Sequence, residues 1–281
     1  MLTLWIAAMM LSPSLSMGST FVTVEKTCPV GGEKFKFSEL ASISVWGSMA
    51  DGMPIGSGAF PIALPICPTN GLVMYRDFTR NEAKRLAPIV AGADYAAMRR
   101  VETPYYRAYR LADALGDAAG NTLGLLLAAS WEAKNAGQID LAARYTAEFV
   151  ARVTALPDAV DPVEAVALNA RAVNGLRELG RFDEAEAMRV SLYARVDALK
   201  DAEARDGWRS FLGTIKAPIA RHDAARAPID LMEEQGAAMR CLSPEFPAGD
   251  QPVAPLTDFE QAFCARPELK PIVEKMRERM S

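Results

Sequence analysis

The sequence predicts an α+β chain, a small N-terminal β-rich module followed by an α-helical array of hairpins. Three observations carry that prediction. Residues 128–142 and 171–185 read alike: each is a helical stretch closed by Gly (Gly137, Gly180). Each then continues with an apolar residue (Ile139, Phe182), an Asp (Asp140, Asp183) and an Ala (Ala142, Ala185) that opens the next helix. Self-similarity at a spacing of about 40 residues marks stacked helical hairpins, which bury their apolar faces only against one another. Ala, Arg and Glu dominate after Thr79, and all three favour helix. Before Thr79 the chain is rich in Gly, Pro and Ser with β-branched runs between them, the composition of short strands and turns.

The 281 residues are half hydrophobic and 23% charged, an ordinary globular balance with material for a sizeable core. A formal charge of -4 leaves no broad basic face, which argues against nucleic acid as a partner. Residues 1–18 read as a candidate signal peptide. An apolar run from Leu2 to Leu11 precedes Ser12-Pro13-Ser14-Leu15-Ser16, with small residues for cleavage after Ser16 or Gly18. No Lys or Arg precedes the run, and it is shorter than the ~20 residues a bilayer span needs. The processed chain is then expected in the periplasm or secreted, without membrane insertion. A start at Met17 would instead leave it cytoplasmic.

The β-rich module spans residues 19–78. Thr20 to Lys26 is β-branched and aromatic, and further strands are expected around Ile43–Trp46 and Leu72–Tyr75. Asp51-Gly52 has the chemistry of a hairpin turn. Gly56-Ser57-Gly58 lacks the Lys-Ser/Thr ending and the following helix of a phosphate cradle, so it reads as a loop. So small a module needs a covalent or metal staple, or the support of the helices.

The helical domain spans residues 79–281. Thr79-Arg80-Asn81-Glu82 is a capping box, and Thr103-Pro104 opens a second helix, Tyr105 to Leu115, closed by Gly116. Helices follow at about 123–136, 141–155, 162–179 and 183–199. A degenerate third hairpin is expected from Trp208 to Ala220, turning at Arg221-His222-Asp223 and resuming at Ala225. That register sets His222 level with Ile139 and Phe182, and Asp223 level with Asp140 and Asp183. Pro244, Pro247, Pro252 and Pro255 mark an irregular stretch, and Asp258–Phe263 and Lys270–Arg279 read as terminal helices. On Gly137, Ala142, Gly180 and Ala185, the two clear hairpins resemble tetratricopeptide repeats over roughly Leu123 to Leu199, and more faintly to Met232. Their period is about nine residues longer than the usual ~34. The resemblance implies a non-catalytic interaction or scaffold protein whose concave face holds a protein or peptide partner. The first helix of each such hairpin lines the groove, which makes Trp131, Asn135, Arg171, Asn174 and Arg177 the candidate partner-binding residues.

Cys28-Pro29-Val30-Gly31-Gly32 and Cys67-Pro68-Thr69-Asn70-Gly71 resemble the two Cys-Pro-x-Cys-Gly knuckles of a zinc ribbon, with Gly31 and Asn70 in place of the second cysteines. An uncharacterised bacterial family pairs such a ribbon with tetratricopeptide-like helices, and this chain looks like a metal-free relative; no metal and no cofactor is expected. In an intact ribbon the first-position sulfurs share one metal, within disulfide reach. The resemblance therefore implies a Cys28–Cys67 disulfide in an exported chain, worth ~3–4 kcal/mol by loop entropy. Cys241 and Cys264 would form the second bridge. Four cysteines allow three pairings; four reduced, buried thiols and a zinc site built from all four are the alternatives.

Other candidate chemistry is sparse. His222 is the one histidine, so any Ser–His–Asp or Cys–His scheme runs through it and multi-histidine metal sites are excluded; its turn position reads as packing. Asp183/Glu184/Glu186 and Glu233/Glu234 read as solvated helix faces. Arg99-Arg100 precedes a group of tyrosines. Tyr105 and Tyr109 share one helix face and Tyr106 points elsewhere, forming either an exposed aromatic patch or packing between the β module and the first hairpin. Two other functions stay open. One is a redox-responsive cytoplasmic protein begun at Met17, with Cys28 and Cys67 switching. The other is an enzyme with a carboxylate or Tyr site between the two modules, expected as a deep polar cleft.

Overall fold

Alternation of Phe35 and Phe37 with Lys34, Lys36 and Ser38 gives the front of the chain a strand that the sequence expectations omit. In the computed structural model, which describes residues 19–156, 160–243 and 254–280, β1 (Thr20–Thr27) pairs antiparallel with β2 (Lys34–Ser42). β3 (Val45–Ser48) pairs with β4 (Pro54–Gly56). Their turn is the expected Asp51-Gly52 one: Gly52 takes φ 85°, its amide donates to Met49 O, and Met49 N donates to Met53 O. Leu72–Tyr75 forms no full strand. Val73 alone bridges to Ile66.

The two cysteine turns are built alike. Cys28 N donates to Glu33 O and Gly32 N to Cys28 O, while Cys67 N donates to Leu72 O and Gly71 N to Cys67 O. Asn70 Nδ2 donates to Val30 O, and Thr69 N donates to Glu33 Oε2, so each turn braces the other. Cys28 and Cys67 are disulfide-bonded with Cα atoms 5.7 Å apart, and Cys241 and Cys264 are bonded at 5.8 Å. Neither four free thiols nor a four-cysteine metal site is formed.

The chain then becomes helical. α1 (Arg80–Ala91) starts on the predicted Thr79/Glu82 capping box, α2 (Ala93–Val101) follows, and α3 (Pro104–Leu115) runs from the Thr103 cap to Gly116 at φ 74°. α4 (Ala119–Asn135) and α5 (Ile139–Thr154) form one hairpin, and α6 (Pro162–Glu178) and α7 (Phe182–Asp197) the next. Both close identically. Gly137 N and Gly180 N donate back to Lys134 O and Arg177 O, the next amides reach Ala133 O and Leu176 O, and both glycines are left-handed. Gly175 lets α6 approach α5, since a Cβ there would lie 3.1 Å from the Thr146 methyl. Leu126, Ala129, Tyr145, Phe149, Ala172 and Leu176 fill the shared core.

The third hairpin departs from expectation. α8 (Ala202–Thr214) and α9 (Lys216–Ala220) lead into a turn where His222 N donates to Ile219 O and Asp223 N to Pro218 O, with His222 at φ 57°. His222 therefore occupies the place of Gly137 and Gly180, two residues from the register read in the sequence. No helix resumes at Ala225. Asp223 Oδ1 accepts from Ala225 N, Pro228 has no amide to continue a ladder, and the chain passes through a one-turn 3-10 helix (Ile229–Leu231) to α10 (Glu234–Leu242). α11 (Asp258–Cys264) and α12 (Lys270–Met280) complete a C-terminal cluster around Ile229, Ala237, Cys241 and Leu269.

The cysteine turns and the first helices share a core, because Cys28, Cys67, Leu72 and Val73 pack with Leu86, Val90, Tyr95, Ala108 and Leu111. Among the described residues no helix is long and apolar enough to cross a membrane. The signal-peptide stretch 1–18, with Met17, and Pro244, Pro247 and Pro252 lie outside the described residues.

Candidate functional site

Four of the five candidate partner-binding residues meet around the tip of the β3–β4 hairpin and the loop after Asp223. Lys134 on α4 places Nζ 2.9 Å from Asp51 Oδ2 and 2.5 Å from Glu178 Oε2, all three side chains nearly buried. Beside it Asn135 Nδ2 donates to Phe60 O at 2.5 Å. Arg171 on α6 donates to Ala50 O and lies over the rings of Trp208 and Phe211, at 5.2 and 5.7 Å. Gly52 is needed there, since a Cβ would fall 2.4 Å from Arg171 Nε.

Deeper in, Asn174 Oδ1 accepts from Arg177 Nε and Nη2, and Asn174 Nδ2 donates to Glu178 Oε1 at 2.7 Å. Arg177 Nη1 donates to the carbonyls of Asp223 and Ala225, at 2.6 and 2.7 Å. Burial pushes the Arg171 and Arg177 guanidinium pKa values below their ordinary value. Trp131 is half-buried against the main core, its Nε1 buried without an acceptor among the described residues. The helical face read as a partner groove is thus covered by the chain itself at Asn174 and Arg177, whereas Asn135 stays exposed and Arg171 lines an open cleft with Met49 and Glu233. Asn174 and Arg177 are interior braces, because the carbonyls of the 223–225 loop require a donor there. Arg171 and Asn135 hold the front hairpin.

A further open surface adjoins the same hairpin. Val45 pairs with Gly56 and Gly47 with Ile55, so Trp46 is the extra residue of a bulge, a device that re-aims a side chain. Trp46 is 46% and Ile55 40% exposed. With Met49, Pro228, Leu231 and Met232 they wall a cleft of about 210 Å³. Glu233 and Gln235 line its mouth, and Glu234 joins them on the outer side of Trp46. A Cβ on Gly47 would lie 2.7 Å from Glu233 Oε1, so this glycine lets the carboxylate close on the strand. Glu233 and Glu234 are exposed and form no ion pair among the described residues, whereas nearby Asp230 is held by Arg221 at 2.6 Å. The sequence offered Trp46 only as a strand residue. A bulge has no compositional signature, and the closeness of Trp46 to Glu233 spans most of the chain.

The remaining candidates are structural. Tyr105 Oη donates to Ile62 O, while Tyr106 and Tyr109 donate to the two oxygens of Glu148, at 2.9 and 2.8 Å. Tyr106 stacks on Tyr145 at 4.4 Å. All three are buried, which corrects the exposed-patch reading, and burial raises the Tyr105 phenol to about 12. His222 stacks on Phe182 at 4.7 Å, and Arg99 donates to Thr69 O. No group of three His, Cys, Asp or Glu suited to a metal ion occurs among the described residues. Comparison with protein-family models, with curated proteins and with solved structures finds no match to this chain.

Proposed function

We propose that this chain is a non-catalytic binding protein of an oxidising compartment, and that its cleft beside Trp46 takes a peptide segment with a Lys or Arg next to an apolar side chain. The observation that carries the reading is an apolar cleft with Glu233 in its wall, next to a hollow that shares Trp46 and Glu233 and adds Glu234, neither carboxylate being ion-paired among the described residues. An exposed indole attracts a cation to its face, the carboxylates add charge-assisted hydrogen bonds, and Met49, Leu231 and Met232 take the apolar neighbour. The helical hairpins, of the tetratricopeptide kind, act as the scaffold that holds the β3–β4 hairpin in place. The cysteine turns fit a ribbon in which a disulfide stands where a metal would be, and two disulfides favour the periplasm or an extracellular site over the cytoplasm.

The test is titration of the intact protein with acetyl-Leu-Arg-Leu-amide and acetyl-Leu-Glu-Leu-amide, followed by amide chemical shifts. The basic peptide binds and shifts Trp46 and Gly47. The double substitution Glu233→Gln, Glu234→Gln weakens it about tenfold, the loss of one to two exposed ionic contacts. Equal binding of the two peptides, or a double variant that binds as the parent does, removes the proposal.

A further inference from the structure

A second cavity, sharing no lining residue with the Trp46 cleft, lies between the start of α5, the end of α6 and residues 224–226. Its volume is about 190 Å³, and Ile139, Ala142, Ala143 and Leu179 give it apolar walls while Lys134, Glu178 and Arg226 supply charge. The cations in its wall are compensated unequally. Lys134 is neutralised by Asp51 and Glu178, and Arg221 is held by Asp223 and Asp230. Arg177 has an amide oxygen and two carbonyls as acceptors and Glu178 3.7 Å from Nη2, and Arg171 has a carbonyl and two aromatic faces. Arg226 is the poorly compensated cation. Among the described residues, Nη1 donates to Asn135 Oδ1 at 2.9 Å, Nη2 meets only the Met53 sulfur at 3.2 Å, and Nε is buried without an acceptor. Of the two cations in the cavity wall, Lys134 therefore pairs with two carboxylates and Arg226 with none among the described residues.

We infer that this cavity binds a small monocarboxylate with a short apolar tail, its carboxylate paired with Arg226. A guanidinium is the geometric match for a carboxylate, and leaving a partly buried cation without an anion is costly. The volume sets the tail. Dry protein cavities of about 150 Å³ take a benzene-sized body, so a chain of five or so carbons fits along Ile139, Ala143 and Leu179. Ile139 is 72% exposed, and a tail against it covers apolar surface now open to water. Glu178 in the same wall disfavours a dianion, which separates this ligand class from phosphates.

Calorimetric titration of the full chain with hexanoate and with hexanamide tests the site. Hexanoate binds saturably and hexanamide at least about tenfold more weakly, the difference of a charge-assisted pair. Arg226→Gln weakens hexanoate by the same factor. Because Arg226 also braces Met53 and Asn135, a second variant keeps the test independent of folding: Ala143→Trp fills the cavity from an exposed position, leaves Arg226 in place and abolishes hexanoate binding. That variant leaves peptide binding at the Trp46 cleft unchanged, so failure of either site is distinguishable from failure of the other. Acetyl-leucine, which carries its carboxylate as a chain end does, binding more tightly than hexanoate assigns the cavity to peptide C-termini, and weaker binding assigns it to free acids. Equal binding of hexanoate and hexanamide, no binding of either, or an unaltered Arg226→Gln variant overturns the inference.

Discussion

His222 shows how a single residue can carry two opposed effects. A left-handed backbone costs a side chain with a Cβ about 1–2 kcal/mol, and His222 sits at φ 57°. Its stack on Phe182, with planes 7° apart, returns about 0.5–1.5 kcal/mol. His222→Gly relieves the first and forfeits the second, so its urea midpoint is expected to lie close to that of the parent. His222→Ala keeps the strain and loses the stack, and is expected to be about 1 kcal/mol less stable. If the alanine variant is as stable as the parent, the stack contributes nothing; if it matches the glycine variant, the left-handed backbone costs nothing. Arg177 lies at the other extreme. Arg177→Met strands the Asp223 and Ala225 carbonyls and Asn174 Oδ1, at a cost of about 2–4 kcal/mol in the same measurement. The importance of Arg177 was legible in the sequence but its role was not. A helix-face argument places it in a groove, and only the fold brings residues 223 and 225 onto it.

At the scale of elements, boundaries set by local chemistry were legible and those set by distant partners were not. The capping box at Thr79, the Thr103-Pro104 start and the two Gly turns act within four residues of themselves, and each appears where its side chains require. β2 alternates only over a short run, and the Trp46 bulge depends on how β3 meets β4. The third turn was misplaced because no glycine announces its left-handed residue. The α1 cap also makes a pH prediction. Hydrogen bonds from Arg76, then from the Thr79 amide and hydroxyl, hold the Glu82 carboxyl at about 2, well below its ordinary range. A depressed carboxylate stabilises the fold above its unfolded pKa, and that contribution is lost as pH falls from the ordinary Glu range through about 2. A carboxyl-detected titration of Glu82 should show the low midpoint, and Arg76→Gln should move it upward. A midpoint unchanged by that substitution would remove Arg76 as the main cause.

At the scale of the molecule, the two disulfides divide the chain into parts of different accessibility. Cys28 and Cys67 are buried in the core shared with α1–α3. Cys264, by contrast, lies on a half-exposed part of the C-terminal cluster. Thiol–disulfide exchange requires access to the sulfur, so mild reductant under native conditions should open Cys241–Cys264 first. Intact mass after alkylation is then expected to show no label before reduction, two labels at Cys241 and Cys264 in mild reductant, and four only in denaturant. By loop entropy each bridge stabilises by about 3–4 kcal/mol, but the losses fall in different places. Opening the first loosens α10 to α12, and α10 begins at the Glu233–Gly236 wall of the Trp46 cleft. Mild reduction should therefore weaken binding of the basic peptide while hexanoate binding at Arg226 persists, since that cavity is walled by α4 to α6 and the 224–226 loop. Four labels on protein purified from its own cells without reductant would overturn both bridges and, with them, the argument for an oxidising compartment. Two labels with unaltered peptide binding would instead show that the cleft wall is held by the apolar cluster around Ile229 and Leu269 alone.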